Sequence, residues 1–240
     1  MQSGKTYPAG SLVRVSFTAE GTQVSALSRN NAVSGKVSYA AGKIGQIPVA
    51  ADAQMIDIAG KTAIKVYLSR LNGVVLSDEN VFYSEKNADG EITTLILNAV
   101  TGDSYAYGRV RSVQEQSEGM DLSGTYQVSV NGRETTYSLS GKLLSAQIGP
   151  ARIELRDGQL SGIRKLSERS AVDGITGMTL QAGGETHTLW DNASAYIYTG
   201  RQYRMADRNE LDPALYRISA YYDAPDNQGG RVRILIATPR

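Results

Sequence analysis

Apolar and polar residues alternate in short runs along most of this chain. Leu12 to Phe17 (LVRVSF) alternates, and so does Thr125 to Val130 (TYQVSV), where Tyr126, Val128 and Val130 fall on one face. Glu134 to Leu139 continues that pattern after Asn131-Gly132, a pair suited to a tight hairpin turn. Weaker strand signals cover Gln23–Leu27, Lys36–Tyr39, Lys43–Val49, Met55–Ile58 and Thr62–Leu68. Asn72-Gly73 between apolar neighbours predicts another hairpin. Helical period is scarce: Asp207–Leu211, stopped by Asp212-Pro213, has room for about one turn. Val113–Ser123 (VQEQSEGMDLS) is the most loop-like stretch and reads as a linker.

Two stretches share one layout. Phe82–Leu97 and Tyr221–Ala237 each read as strand, polar Gly-containing turn, strand. Working backwards from them, Val13–Phe17 matches Ala151–Leu155, Gly21 matches Gly158, and Leu27-Ser28 matches Leu166-Ser167. Ala32–Gly35 matches Ala171–Gly174, Asp52-Ala53 lies opposite Asn192-Ala193, Gly60 opposite Gly200 and Gly90 opposite Gly230. The spacing drifts only from 138 (13 to 151) to 140 (90 to 230), which small insertions at turns would produce. The expected fold is all-β: two related units, each a sandwich or meander portion plus a small closing barrel, with very little helix. The expected division is 1–110 and 111–240, with the boundary somewhere in Arg109–Ser123.

Composition narrows the function. The 240 residues carry a net charge of +1, with acidic and basic residues interleaved, so no field is built for nucleic acid or an anionic membrane. With no cysteine there are no disulfides, thiolate zinc sites or cysteine nucleophiles. No apolar run approaches the roughly 20 residues of a membrane helix. No signal peptide is legible at Met1, and the polar start reads as that of a piece excised from a longer chain.

Candidate chemistry is thin. His187 is the only histidine and sits in a strand-like stretch beside Trp190. No nucleophile elbow, phosphate-binding glycine loop or HExxH motif is present, so no catalytic residue is assigned and no cofactor is implied. A glycosidase would need two carboxylates facing across a sugar, and sequence alone pairs none. Turn carboxylates offer oxygen ligands for calcium: Asp89 in one turn, Asp223 and Asp226 in another. The same residue types also serve turn backbones. The second half gathers tyrosines near Trp190, and alternation puts Tyr196 and Tyr198 on one face. They either cover a core or, with Trp190, form a platform for sugar rings.

Asp89–Val110 (DGEITTLILNAVTGDSYAYGRV) and Ala193–Ala237 resemble β-rich repeat segments of large cell-surface proteins of Gram-positive anaerobes that carry S-layer homology domains. The resemblance lies in spacing and turn residues, and no S-layer homology domain falls within these residues. It implies secretion, a place on the extracellular cell envelope and a non-enzymatic structural or adhesive role. The expected partners are further copies of the chain or cell-wall and host glycans, without nucleic acid and without membrane insertion. The alternative reading is a carbohydrate-binding module that uses the Tyr-rich second half.

Overall fold

The computed structural model describes residues 5–8, 10–30 and 32–240, and the rest of the polar start lies outside them. Strands take up 61% of it and helix 4%, so the protein is all-β. It comprises two compact units, Met1–Ser104 and Tyr105–Arg240. Among the described residues no helix is long and apolar enough to cross a membrane.

The first unit opens with a hairpin, β1 (Val13–Thr18) and β2 (Gly21–Ala26), which forms a two-stranded sheet. Then follow β3 (Gly35–Ser38), β4 (Lys43–Ile44), β5 (Ile47–Ala59), β6 (Thr62–Lys65), β7 (Val75–Leu76), β8 (Val81–Lys86) and β9 (Ile92–Asn98). They make a curled seven-stranded sheet ordered β7-β3-β4-β5-β9-β8, with β6 also on β5. Its hollow is filled by Val37, Ile44, Leu71, Leu95, Leu97 and their neighbours. The weak signals at 43–49 and 55–58 resolve into a tight turn at Gly45-Gln46 and one long strand, β5. Asn72-Gly73 does not close a hairpin. It follows a 3-10 turn at Leu68–Leu71, and its polar groups bond to β3 and its turn: Gly73 N–H to Val37 O, and Tyr39 N–H to Asn72 Oδ1.

The second unit begins with β10 (Ala106–Glu118), β11 (Asp121–Val130) and β12 (Arg133–Ser140), followed by the hairpin β13 (Gly149–Arg156) and β14 (Gln159–Lys165). These five form one sheet, β12-β11-β10-β13-β14. Asn131 and Gly132 both have positive φ, +49° and +77°, as the two-residue turn between β11 and β12 demands. Residues 113–123, read as a linker, are instead the far end of the β10–β11 hairpin. Gln, Ser and Glu there mark strands solvated on both faces rather than a break in the fold.

The rest of the unit is β15 (Ser167–Arg169), β16 (Val172–Thr176), β17 (Thr179–Ala182), β18 (Glu185–Tyr198), β19 (Tyr203–Ala206), β20 (Tyr216–Tyr222) and β21 (Val232–Pro239). This curled sheet runs β15-β20-β21-β18-β17-β16, with β19 on β18. Asp207 and Glu210 cap a one-turn 3-10 helix at Arg208–Glu210 reciprocally, where the sequence suggested a single turn.

The two curled sheets are copies. β9 pairs parallel with β5 from Val49↔Ile92, slips, and resumes at Gln54↔Thr94. β21 does the same on β18, from Leu189↔Val232 to Ser194↔Ile234. All four positions advance by 140 (49 to 189, 92 to 232, 54 to 194, 94 to 234). The β5–β6 pair Ile56↔Lys65 recurs as Tyr196↔Met205 at the same step. Even the irregularity is repeated, which chance similarity between β sequences would not produce. The parallel pairings of β9 with β5 and of β21 with β18 were not legible in the sequence, because side-chain alternation reports burial and not strand direction.

Candidate functional site

A buried polar constellation in the second unit surrounds β21. Its run VRILIA is apolar except for Arg233, whose side chain is fully buried. Val232 and Ile234 have partners in both flanking ladders, and Arg233 falls in the slip between them. The bulge therefore turns a residue that simple alternation would leave ambiguous into the protein. Arg233 Nη2 donates to Asp223 Oδ2 at 2.8 Å, and its guanidinium lies 4.5 Å from the Tyr107 ring centre and 4.9 Å from that of Trp190. Tyr107 donates its hydroxyl to the same carboxylate oxygen at 2.7 Å. Asp223 Oδ1 accepts from the backbone N–H groups of Ala224 and Arg231.

Burial pushes the Tyr107 phenol far above its usual range, and the neighbouring carboxylate adds to this; Arg233 pulls the other way and loses. Tyr107 is thus a permanent donor, Asp223 an acceptor with both oxygens engaged, and Arg233 the charge between them. The arrangement offers neither a poised base nor an exposed nucleophile. It is built to hold β10, which carries Tyr107, against the β20–β21 turn, which carries Asp223.

The predicted aromatic platform is divided by burial. Tyr196 is 2% exposed and packs with Tyr107, Leu166, Ile234 and Ile236. Trp190 is half-buried and meets Tyr107 edge-on at 5.4 Å. Tyr198 shares the predicted face and stacks on Tyr203 at 4.4 Å, and both remain partly exposed. Tyr203 lies between Tyr198 and the Arg109 guanidinium, which is 3.0 Å from its ring centre, so the pair keeps partial exposure without a bare ring face on Tyr203.

The candidate calcium ligands lie in separate turns. Asp89 is exposed in the β8–β9 turn, where Asn87 Oδ1 accepts from the N–H groups of Asp89 and Glu91. Asp223 is committed to Arg233 and Tyr107. Asp226 has an oxygen 3.6 Å from His187 Nδ1. Among the described residues no three acidic or histidine side chains converge as metal ligands would. His187 is buried on β18, with Glu185 at 3.7 Å from its other ring nitrogen. A cleft of about 600 Å³ contains Asp207 and Asp212, but both accept from nearby backbone N–H groups.

Sequence reasoning missed the polar residues that matter most. Asp57, 2% exposed on β5, accepts from Val100 N–H, Thr101 N–H and Thr101 Oγ1, fastening the segment after β9 to β5. Arg70 grips Asp103 through two hydrogen bonds. Glu115 accepts from the Tyr126 hydroxyl and from the N–H groups of Leu144 and Ser145. For Asp57 and Arg233 the available signal was a lone charge inside an apolar strand run, MIDIA and VRILIA; Arg70 and Glu115 had no such signal. Comparison with family models, with curated proteins and with solved structures found no match.

Proposed function

We propose that this chain is a non-enzymatic structural module of a bacterial cell-surface protein, associated with the S-layer and extracellular. The observation that carries the reading is the doubled curled sheet, repeated at a fixed step down to its irregularities. Its buried polar groups are spent on fastening strands and turns rather than on lining a reaction site. Repetition of a rigid unit suits a protein that spans or spaces a surface. The test is antibody labelling of the producing bacterium. Labelling of intact cells that external protease removes supports the reading, and labelling only after lysis overturns it.

A second reading, a carbohydrate-binding module, is favoured by one feature: the stacked, partly exposed Tyr198–Tyr203 pair. Partly exposed aromatic side chains with a polar end are the kind that sugar recognition uses. A glycan array probed with the protein tests it. Saturable binding that is lost in Tyr198→Ala and Tyr203→Ala would replace the structural reading, and a blank array retains it.

A further inference from the structure

One difference between the copies concerns the strands β10–β12. In the second unit, β10–β12 form an arm that lies along the β13 edge, from Ala106↔Ile153 to Val110↔Gly149. The arm also covers the outer face of the curled sheet. Tyr107 packs on Leu166, Tyr196 and Ile236. Arg109 lies over Tyr203. At the β11–β12 turn, Ser194 Oγ donates to Asn131 Oδ1, and a Cβ on Gly132 would come 2.7 Å from the Met205 sulfur.

The β1–β2 hairpin is the first unit's equivalent of β13–β14. Val13↔Ala26 and Thr18↔Gly21 correspond to Ala151↔Lys165 and Arg156↔Gln159, a step of 138 (13 to 151, 18 to 156), with one residue added in β14 (26 to 165). Among the described residues no strand pairs with the other edge of β1. Val15 and Phe17 on β1 are 49% and 83% exposed.

Where the second unit holds its arm, the first has two cavities. One, of about 550 Å³, is lined by Leu27, Ile58 and Leu12 beside Phe82; Leu27 and Ile58 stand for Leu166 and Tyr198. The other, of about 440 Å³, is lined by Gln54, Ile56, Ala63 and Lys65, which stand for Ser194, Tyr196, Tyr203 and Met205, the residues that touch Arg109 and the arm's turn. Asp52 lines this second cavity too, an acidic group in the cavity whose counterpart residues Tyr196 and Tyr203 meet Arg109.

We propose that the first unit presents a preformed seat for a three-stranded β arm built like β10–β12 and supplied by a further repeat of the same design. The arm's first strand pairs with β1, its aromatic residue fills the cavity over Leu27 and Ile58, and its basic residue enters the cavity beside Asp52. Strand addition to an exposed edge with alternate side chains in pockets is an established mode of peptide recognition. The smaller side chains at Ile56 and Ala63, against Tyr196 and Tyr203, leave room for a bulkier residue at the Arg109 register.

The probe is the arm itself, a polypeptide of residues 99–148, titrated into the full chain, with amide hydrogen exchange read by mass spectrometry. The expected result is saturable slowing, about tenfold or more, at β1 and the β5 amides near Ile58. Ile58→Asp should abolish it while β9 and β13 stay protected, and Leu27→Asp serves instead should that variant lose β9 protection. A second arrangement fuses the same segment upstream of the chain. Protection there alone also upholds the seat, because linkage removes the cost of association. Unchanged exchange at β1 in both arrangements, or slowing that survives the seat substitutions, overturns the proposal.

Discussion

Arg233 and Asp223 form an ion pair from which water is excluded, with side-chain exposures of 0% and 6%. Such a pair does not by itself add much stability, since desolvation offsets attraction. Breaking it is another matter. Asp223→Ala leaves a buried guanidinium facing two aromatic rings and removes the acceptor of the Tyr107 hydroxyl. The expected loss is about 3–5 kcal/mol. Trp190 is the only tryptophan and packs in this cluster, so its fluorescence during urea unfolding reports the second unit directly. Asp223→Ala with Arg233→Met should lose less than the two single changes together, because neither charge is then left alone.

Alkaline pH should loosen the same region. Burial raises the phenols of Tyr107, Tyr196 and Tyr221 above their ordinary value of 10.0, that of Tyr221 to about 12. In the unfolded chain they ionise near their ordinary value, while the folded protein keeps their protons. The stability this confers is whole below pH 10.0 and shrinks as pH climbs beyond it, by at most about 1.4 kcal/mol per pH unit for each tyrosine. Urea midpoints followed by Trp190 fluorescence from about pH 8 to 11 should hold up to about pH 10 and decline beyond it, and Tyr107→Phe should make the decline shallower. A midpoint flat across that range would contradict this.

Gly90 and Gly230 occupy matching places in the repeat but for different reasons. Gly90 has a φ of +81° with open space around it, so Gly90→Ala costs about 1 kcal/mol of backbone strain. Gly230 has no positive φ, yet a Cβ there would overlap the Ala224 carbonyl. Gly230→Ala must move the β20–β21 turn, including the Asp223 carboxylate on which four hydrogen bonds of the network depend. Thermal unfolding of the two variants should rank Gly230→Ala well below Gly90→Ala.

Asp57→Ala should weaken the first unit by roughly 3 kcal/mol or more, since it strands two backbone N–H groups and a hydroxyl without their acceptor. Faster amide exchange at Val100 and Thr101, and along β9, is the measurement. Unchanged protection there would show that water replaces the carboxylate without loss.

How far the fold was legible depended on what alternation records. Period-two runs found β1, β11 and β12, and Asn131-Gly132 located a turn, because local backbone chemistry settles both. The matched glycines 60/200 and 90/230 exposed the duplication. The β10–β11 hairpin was hidden because its polar residues lack an apolar face to alternate with. Arg233 was hidden because a bulge, set by the neighbouring ladders, decides where it points. Tyr196 was placed on the correct face, but its burial depends on β10, some ninety residues earlier in the chain.

In both curled sheets the strand made last lies inside: β9 between β5 and β8, β21 between β18 and β20. A unit emerging from the ribosome therefore has an open slot through its middle until its final residues appear, and cannot complete its core piecemeal. The same placement governs a tug on that strand. Force along it strains a parallel ladder on one side and an antiparallel ladder on the other together, as a load in shear, instead of peeling one edge bond after another.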